Sequence, residues 1–230
     1  MLRKDYLVRM LEEMTEMIGK VFGLKQQRKW IEALWELDEL YKKLFRLNSR
    51  LLGSLSAKDI VEMMRTGGTV ESDKLQSLAR LMKEEADVLT ASGQREEGIL
   101  RARKALHLYL AAYTHGADPG IWKLHGEVSE LLERLKGFRL PEDTERLLMS
   151  YEESRGNYDL AENALYRLLE SGEARREEGI AFYTRLLAQG PDKLEQGGLP
   201  EEEVREGLEA WLARIDSASA EIDENRPSGE

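Results

Sequence analysis

The chain has 230 residues, no cysteine and a formal net charge of −10. The acidic balance argues against general nucleic-acid affinity, because phosphate binding depends on dense, clustered basic charge. The lack of cysteine excludes disulfides, a cysteine nucleophile and thiolate metal sites. With 41% hydrophobic and 34% charged residues, the chain has enough apolar material for a buried core.

The first predicted helix runs from about Leu2 to Phe22. Apolar residues at alternating spacings of three and four make it amphipathic: Leu7, Met10, Met14, Met17, Val21 and Leu24, widened by Leu11, Ile18 and Phe22. We interpret the methionines as core residues, with an adaptable binding surface as the alternative. Charged residues interrupt this helix, so it is neither a signal peptide nor a membrane span, and we expect a soluble, cytoplasmic protein.

A second helix, from about Arg28 to Leu47, is apolar on more than one side, as expected of a helix packed between two neighbours. Eight further helices are predicted at about 56–65, 72–91, 95–113, 119–136, 141–155, 158–170, 180–187 and 200–215. Residues 66–69 and 190–198 are expected to be flexible connections. The fold class is therefore all-α, with about ten helices in a single domain over 1–216 and a disordered acidic tail over 217–230.

Three helix pairs share a pattern at the turn between their helices. Gly93 and Gly156 stand at two of the turns and Arg28 at the third, and each is followed five places later by a small residue. Those small residues, where the second helix is expected to cross the first, are Gly98, Ala161 and Ala33. A large aromatic residue precedes the small residue by three places in two of the pairs, as Tyr158 and Trp30.

These positions resemble those that tetratricopeptide repeats fill with glycine, tyrosine, alanine, phenylalanine and alanine. The turns lie 63 and 65 residues apart, not the regular spacing of about 34, so the resemblance implies an irregular, compact array of antiparallel hairpins. The whole chain, with its opening Arg3-Lys4-Asp5-Tyr6-Leu7 and the block Leu81 to Ala86, also resembles an uncharacterised family of bacterial cytoplasmic helical proteins. That family has no assigned activity.

The sequence predicts no catalytic, cofactor-binding or metal-binding residue, and an enzyme is not expected. The phosphate-loop and nucleophile-elbow spacings are missing, and the three histidines, His107, His115 and His125, lack the spacing of a metal site. Tetratricopeptide domains that bind chaperones hold a C-terminal carboxylate with basic and amide side chains. Lys83 with Asp87, and Asp143 with Leu147, occupy the corresponding places, so recognition of a free C-terminus is not predicted.

The candidate partner-binding residues belong to a basic segment, Arg95, Arg101, Arg103 and Lys104, which is suited to an acidic partner. Pairing of these cations with Glu84, Glu85, Glu96 and Glu97 is the alternative. We expect a non-catalytic scaffold that binds an unknown protein or peptide in a helical groove, with neither nucleic acid nor membrane as partner. Two alternatives stay open. The first is a homo-oligomer, such as a homodimer, formed through the Met-rich first helix or the acidic C-terminal region. The second is an unrecognised small-ligand binder or enzyme.

Overall fold

The computed structural model describes residues 2–224, with side chains over residues 5–214. The all-α class is confirmed, since the described chain forms twelve helices and one minimal β-hairpin. It divides into two compact units, residues 1–140 and 141–230. The predicted single domain over 1–216 stays a prediction. The last helix continues to Glu224, and residues 225–230 of the predicted tail lie outside the described residues.

The first unit contains seven of the described helices and the hairpin. They are α1 (Leu2–Gln26), α2 (Trp30–Phe45), α3 (Ser49–Ser54), α4 (Ala57–Met63), β1 (Arg65–Thr66), β2 (Thr69–Val70), α5 (Ser72–Ala91), α6 (Arg95–Thr114) and α7 (Leu124–Arg134). The α5–α6 hairpin is the centre of this unit: α1 and α2 pack on α5, and α4 and α7 pack on α6. Met10 and Met14 of α1 are buried, which confirms the core interpretation for these two methionines, while Met17 is half-buried.

The predicted flexible connection at 66–69 is instead a tight β-turn. Arg65 lies opposite Val70 and Thr66 opposite Thr69 in the antiparallel pair. Gly67 and Gly68 both have positive φ, 58° and 83°, which a two-residue hairpin of this kind requires.

One other expectation in the first unit was wrong and another was confirmed. α2 packs between α1 and α5, as expected, although its outer face is uncovered by the described chain, with Ile31 82% and Trp35 59% exposed. The helix predicted from residue 119 begins at Leu124, after a turn that ends with Lys123 in the left-handed conformation (φ 52°).

The three aligned helix pairs are hairpins with equivalent turns. Arg28, Gly93 and Gly156 all adopt positive φ, at 57°, 93° and 77°. In each case the next residue donates its N–H to a carbonyl five residues earlier, as in the Schellman motif, for example Asn157 to Glu152 at 3.0 Å. The same hydrogen bond closes the ends of α6 and α9, at Gly116 and Gly172. The turn alone therefore does not identify the three hairpins, and the small residue five places after it distinguishes them from other helix ends.

The small residue allows the second helix of each hairpin to approach the first. Ala33 and Ala161 are fully buried. A Cβ on Gly98 would lie 2.3 Å from Oγ1 of Thr90 and 3.1 Å from the carbonyl oxygen of Ala86. At that distance an alanine would overlap α5, so α6 uses glycine where the other two hairpins use alanine.

The second unit contains five described helices: α8 (Glu142–Ser154), α9 (Tyr158–Glu170), α10 (Arg176–Leu187), α11 (Pro191–Gln196) and α12 (Glu201–Glu224). α8 and α9 form a hairpin, and α10 packs along α12. Trp211 of α12 is fully buried, and its ring lies where a Cβ on Gly179 would be, at 2.1 Å. α11 stands within the connection that was predicted to be flexible.

Candidate functional site

The four residues of the predicted basic segment do not form one surface. Arg101 is buried, Arg103 and Lys104 are half-buried, and Arg95 is exposed. Only Arg101 and Lys104 have a common neighbour, the short helix α3. A partner-binding role for these residues stays a prediction.

Arg101 belongs to a buried polar cluster that joins α2, α3, α5 and α6. Its Nε lies 3.0 Å from a carboxylate oxygen of Glu85, and it donates to the backbone carbonyl of Ser49 at 3.1 Å. The same carboxylate accepts hydrogen bonds from the hydroxyls of Ser49 and Tyr41, the latter at 2.8 Å. Burial and the charge of Glu85 raise the pKa of Tyr41 well above its ordinary value. The alternative expectation, a pairing of the basic segment with glutamates, is therefore confirmed for Arg101.

Lys104 caps the C-terminal end of α3. Its ammonium donates to the carbonyl oxygens of Leu52, Gly53 and Leu55, at 2.9, 2.6 and 2.6 Å. These carbonyls are the ones that a helix end leaves without internal partners. Partial burial, together with the nearby Arg101, lowers the pKa of Lys104. Arg103 lies elsewhere, with its guanidinium 5.6 Å from the centre of the Phe138 ring.

Further ion pairs connect α5 to its neighbours in the first unit. Lys83 contacts Glu127 of α7 at 2.7 Å and also binds Glu130. On the same helix, Asp87 binds Arg134 of α7. These charges are engaged with each other, so α5 is a structural centre and offers little unpaired charge to a ligand.

The second unit contains an open groove of about 1320 Å³. It is lined by the end of α8, the 154–157 turn, the start of α9, one side of α10 and part of α11. Its lining includes Ser150, Tyr158, Ala181 and Gln189. The groove is the candidate functional site, because it brings ends and sides of several helices to one accessible concave surface.

The turn at one end of the groove is fixed by a close backbone contact. The N–H groups of Tyr158 and Asp159 donate to the carbonyl of Gly197, at 2.9 and 3.2 Å. A Cβ on Gly197 would lie 2.2 Å from the Tyr158 ring and 2.4 Å from the carbonyl oxygen of Gly156. Glycine at position 197 therefore lets the end of α11 pack against the α8–α9 turn. Tyr158 is 7% exposed, so it is a buried packing residue.

Two carboxylates of the groove are neutralised by arginines of the same unit. Glu153 receives two hydrogen bonds from Arg185, both at 2.7 Å, and this bidentate geometry is the strongest that a carboxylate and a guanidinium can form. Glu178 binds Arg146. Burial of Glu178 acts in the opposite direction, but the hydrogen bond from Arg146 lowers the pKa of Glu178 below its ordinary value.

Three other cations of the lining have little or no carboxylate contact. Among the described residues, Arg175 and Lys193 form no ion pair within 4 Å, although the charge of Arg175 acts on Glu142 and Glu178 from a greater distance. Arg155 lies over the Tyr151 ring at 5.3 Å, and its nearest carboxylate, Glu152, is 3.9 Å away. Glu177 is an acidic lining residue that likewise has no ion pair in the described part of the chain. The uncompensated charge of the groove is therefore positive.

The histidines do not form a site together with other ligands. His107 is buried, and the ring of His125 lies edge-on to Tyr113 at 5.4 Å. Over the described side chains, no group of three His, Asp or Glu residues is arranged to hold a metal ion. Among the helices of residues 2–224, none has both the length and the apolar character needed to cross a membrane.

The sequence led us to expect a helical groove, but not its position or its lining residues. The Gly156–Asn157 turn was identified as architecture, and the local pattern contained no signal that α10 and α11 would face it. No curated protein and no solved structure gives a significant match to the chain. One family model does match, over residues 1–215, and it is described as a family of unknown function (DUF6483). The chain therefore belongs to this uncharacterised family.

Proposed function

We propose that the protein is a non-catalytic interaction module of the bacterial cytoplasm that binds an acidic segment of another protein in the groove of the second unit. The observation that carries this proposal is the groove itself, with its volume of about 1320 Å³ and its weakly paired cations. Small-molecule pockets usually enclose about 300–1,000 Å³. A larger, open groove suits an extended or helical peptide segment.

The charge of the groove supports an acidic occupant. The described lining contains three weakly paired cations, Arg155, Arg175 and Lys193, and one acid without an ion pair, Glu177. Residues 140–230 as a whole carry 10 Lys and Arg against 23 Asp and Glu. This surrounding negative charge opposes a polyanion such as a nucleic acid, while a short acidic segment can contact the local cations alone.

The uncharged lining supports peptide recognition. Gln189 and Gln196 are exposed amides at the groove, and an amide both donates to and accepts from a peptide backbone. Met149 and Ala181 add apolar surface between the polar groups. A few polar groups on a partly apolar surface fix the orientation of a bound segment.

The non-catalytic character is supported by the chemistry of the lining. The described residues that line the groove include no histidine, and Glu153 and Glu178 are each bound to an arginine. The likeness to tetratricopeptide repeats supports the same function by analogy of fold, because stacked helical hairpins commonly form peptide-binding surfaces. It rests on the equivalent turns at Arg28, Gly93 and Gly156.

Selection from a peptide library tests the proposal. A displayed random library is panned on the whole protein, and the selected peptides are measured by titration calorimetry. The groove variant combines Arg155→Glu, Arg175→Glu and Lys193→Glu. We expect acid-rich peptides to be enriched, and the groove variant to bind them at least about 100-fold more weakly, since each lost charge contact is worth about 1 kcal/mol.

A matched control makes the same change of charge elsewhere. Lys29→Glu, Lys58→Glu and Lys136→Glu replace three exposed lysines of the first unit. This control variant is expected to bind the selected peptides much as the unchanged protein does. Equal loss of affinity in both variants would show a general charge effect, and full binding by the groove variant would show that the peptides bind elsewhere; either result contradicts the proposal.

A further inference from the structure

The ion pair between Arg185 and Glu153 belongs to the lining of the groove and joins its α10 side to its α8 side. Nε and Nη2 of Arg185 donate to the two carboxylate oxygens of Glu153, both at 2.7 Å. Nη1 of Arg185 has no hydrogen-bond partner in the described part of the chain. Because the Arg185 side chain is 49% exposed, it is a further cation within reach of a segment bound in the groove.

Glu178, the other paired carboxylate of the lining, is held in a different way. Its partner Arg146 lies outside the described lining and also binds Glu142. Glu178 accepts in addition from the backbone N–H of Arg175 at 3.0 Å, at the start of α10. Glu178 therefore occupies no side-chain cation of the lining, whereas Glu153 does.

We propose that Glu153 is a built-in competitor for the acidic segment: it binds Arg185 until a carboxylate of the segment takes its place. The inference rests on the proposed function, and it adds Arg185 to the residues that bind the segment. An Asp or Glu side chain of the segment offers Arg185 the same two oxygens that Glu153 offers. The exchange therefore keeps the bidentate pair, with a carboxylate of the segment in place of the internal one.

The surroundings of the pair permit this exchange. Glu153 lies near the end of α8 beside the open groove, with 18% of its side chain exposed, so water can solvate the carboxylate when it leaves Arg185. Arg185 is more exposed still. Exposed ion pairs contribute little net stability, because water solvates both charges when they separate. The loss of this pair therefore costs the folded protein little.

Competition of this kind makes the groove selective for acidic segments. A neutral segment leaves Glu153 on Arg185 and gains nothing from that cation. An acidic segment whose carboxylates do not reach Arg185 still meets the negative charge of Glu153, which repels them. Only a segment that places a carboxylate on Arg185 gains the pair and displaces the repelling charge. Discrimination is thus built from an attractive and a repulsive element together.

Titration calorimetry with two matched peptides tests the competition on the whole protein. The probes are the tightest-binding acidic peptide from the library selection and a twin in which every Asp and Glu is replaced by Asn or Gln. Glu153→Gln removes the competing charge, and we expect the acidic peptide to bind this variant about three- to tenfold more tightly than the unchanged protein. The neutral twin is expected to bind both proteins equally weakly.

Two further variants isolate the role of Arg185. Glu178→Gln removes the same charge from the same lining but frees no lining cation, so we expect it to change the affinity by less than about twofold. Glu153→Gln is also made in an Arg185→Gln protein, where the competitor has no cation to occupy. Its removal there is expected to leave the affinity unchanged, because the effect of one residue depends on the other. Circular dichroism checks that all variants are folded.

The results separate this inference from the proposed function. Equal gains from Glu153→Gln and Glu178→Gln would show a general charge effect, and weaker binding by Glu153→Gln would show that Glu153 orients Arg185 for the segment. A full gain in the Arg185→Gln protein would show that Arg185 takes no part. Each of these results overturns the competition and leaves the groove as the binding site. If no acidic peptide is selected, or the groove variant binds it fully, the proposed function and the competition are both overturned.

Discussion

Glu85 in the first unit and Glu153 in the second each bind an arginine, at 3.0 and 2.7 Å, but their surroundings differ. The Glu85 side chain is 2% exposed and that of its partner Arg101 10%. The corresponding values for Glu153 and Arg185 are 18% and 49%. A desolvated pair holds helices in place, because neither charge tolerates loss of the other, while a pair at an open groove exchanges readily with water or ligand. Ion pairing alone therefore does not identify a binding site, and burial decides between the two roles.

Removal of each carboxylate is the strongest test of this comparison. Glu85→Ala leaves Arg101 buried without its counter-charge, so we expect the free energy of unfolding of the first unit to fall by about 3–5 kcal/mol. Glu153→Ala is expected to change that of the second unit by about 0–1 kcal/mol, since Arg185 remains solvated. Chemical denaturation measures the free energy of unfolding of the whole protein, and hydrogen exchange with mass spectrometry reports the stability of each unit by itself.

Losses of similar size in the two variants would break the comparison. In particular, a loss of several kcal/mol for Glu153→Ala would make the groove pair a structural element, and would weaken the case for the groove as a binding surface.

Two buried tyrosines of the first unit allow a second comparison, between a polar group that is hydrogen-bonded and one that is not. Tyr41 donates to Glu85 at 2.8 Å, whereas the hydroxyl of Tyr109 has no hydrogen-bond partner among the described residues. Tyr41→Phe removes a hydrogen bond to a charged group, and we expect a loss of about 1.5–3 kcal/mol. Tyr109→Phe removes an unpaired hydroxyl of similar burial, so its free energy of unfolding is expected to be unchanged or raised. Thermal and urea unfolding measure both, and a larger loss for Tyr109→Phe contradicts the cluster around Glu85.

The long helices could be predicted because each has a sustained apolar period and a marked end. α5, α6, α8 and α9 start and end within a few residues of their predicted bounds, and Gly93 and Gly156 mark the turns. Arg28 was aligned with these glycines, and it does adopt their left-handed conformation, at φ 57°. Position within a repeat was more informative here than residue type.

The six-residue helices α3 and α11 could not be predicted, because six residues are too few to show a period. α3 is held by contacts from distant residues, Lys104 on its last carbonyls and Arg101 on its first residue Ser49. One local signal existed, since the side chain of Asn48 accepts from the N–H of Leu51 at 2.8 Å as an N-cap. Isolated helices of this length are unstable in water, and tertiary contacts decide whether they form.

The burial of the basic segment was equally hidden from the sequence. Arg101 and Lys104 are three places apart on α6 and both reach α3, whereas Arg103 reaches Phe138. A run of charges gives their spacing, but not which of them will face a neighbouring helix. The position of the groove was missed for the same reason, because its cations Arg155, Arg175 and Lys193 belong to separate segments of the chain.

The smallest predicted effect comes from removing the charge of Glu162, a half-buried acid of the second unit. Unlike the carboxylate removals above, it is expected to raise the free energy of unfolding. Glu162 accepts a hydrogen bond from Tyr183 at 2.7 Å. Burial, with Glu203 and Asp159 nearby, raises the pKa of Glu162 above its ordinary value near 4.5, although the bond from Tyr183 acts the other way. The folded protein thus binds the proton more tightly than the unfolded chain does. The free energy of unfolding therefore falls as the pH rises from the pKa of Glu162 in the unfolded chain to its higher pKa in the folded protein. Above both pKa values the full cost of the buried charge is present.

Glu162→Gln removes this charge and keeps a carbonyl oxygen for Tyr183, so we expect the second unit to become slightly more stable at pH 7. The gain should shrink towards zero as the pH is lowered to about 4, near the unfolded pKa of glutamate, where Glu162 itself is protonated. Thermal unfolding of both proteins between these values measures the difference. A variant that is less stable than the parent at pH 7 would mean that Glu162, like Glu85, contributes through its charge. The second unit would then hold its helices by buried ionic contacts as the first unit does.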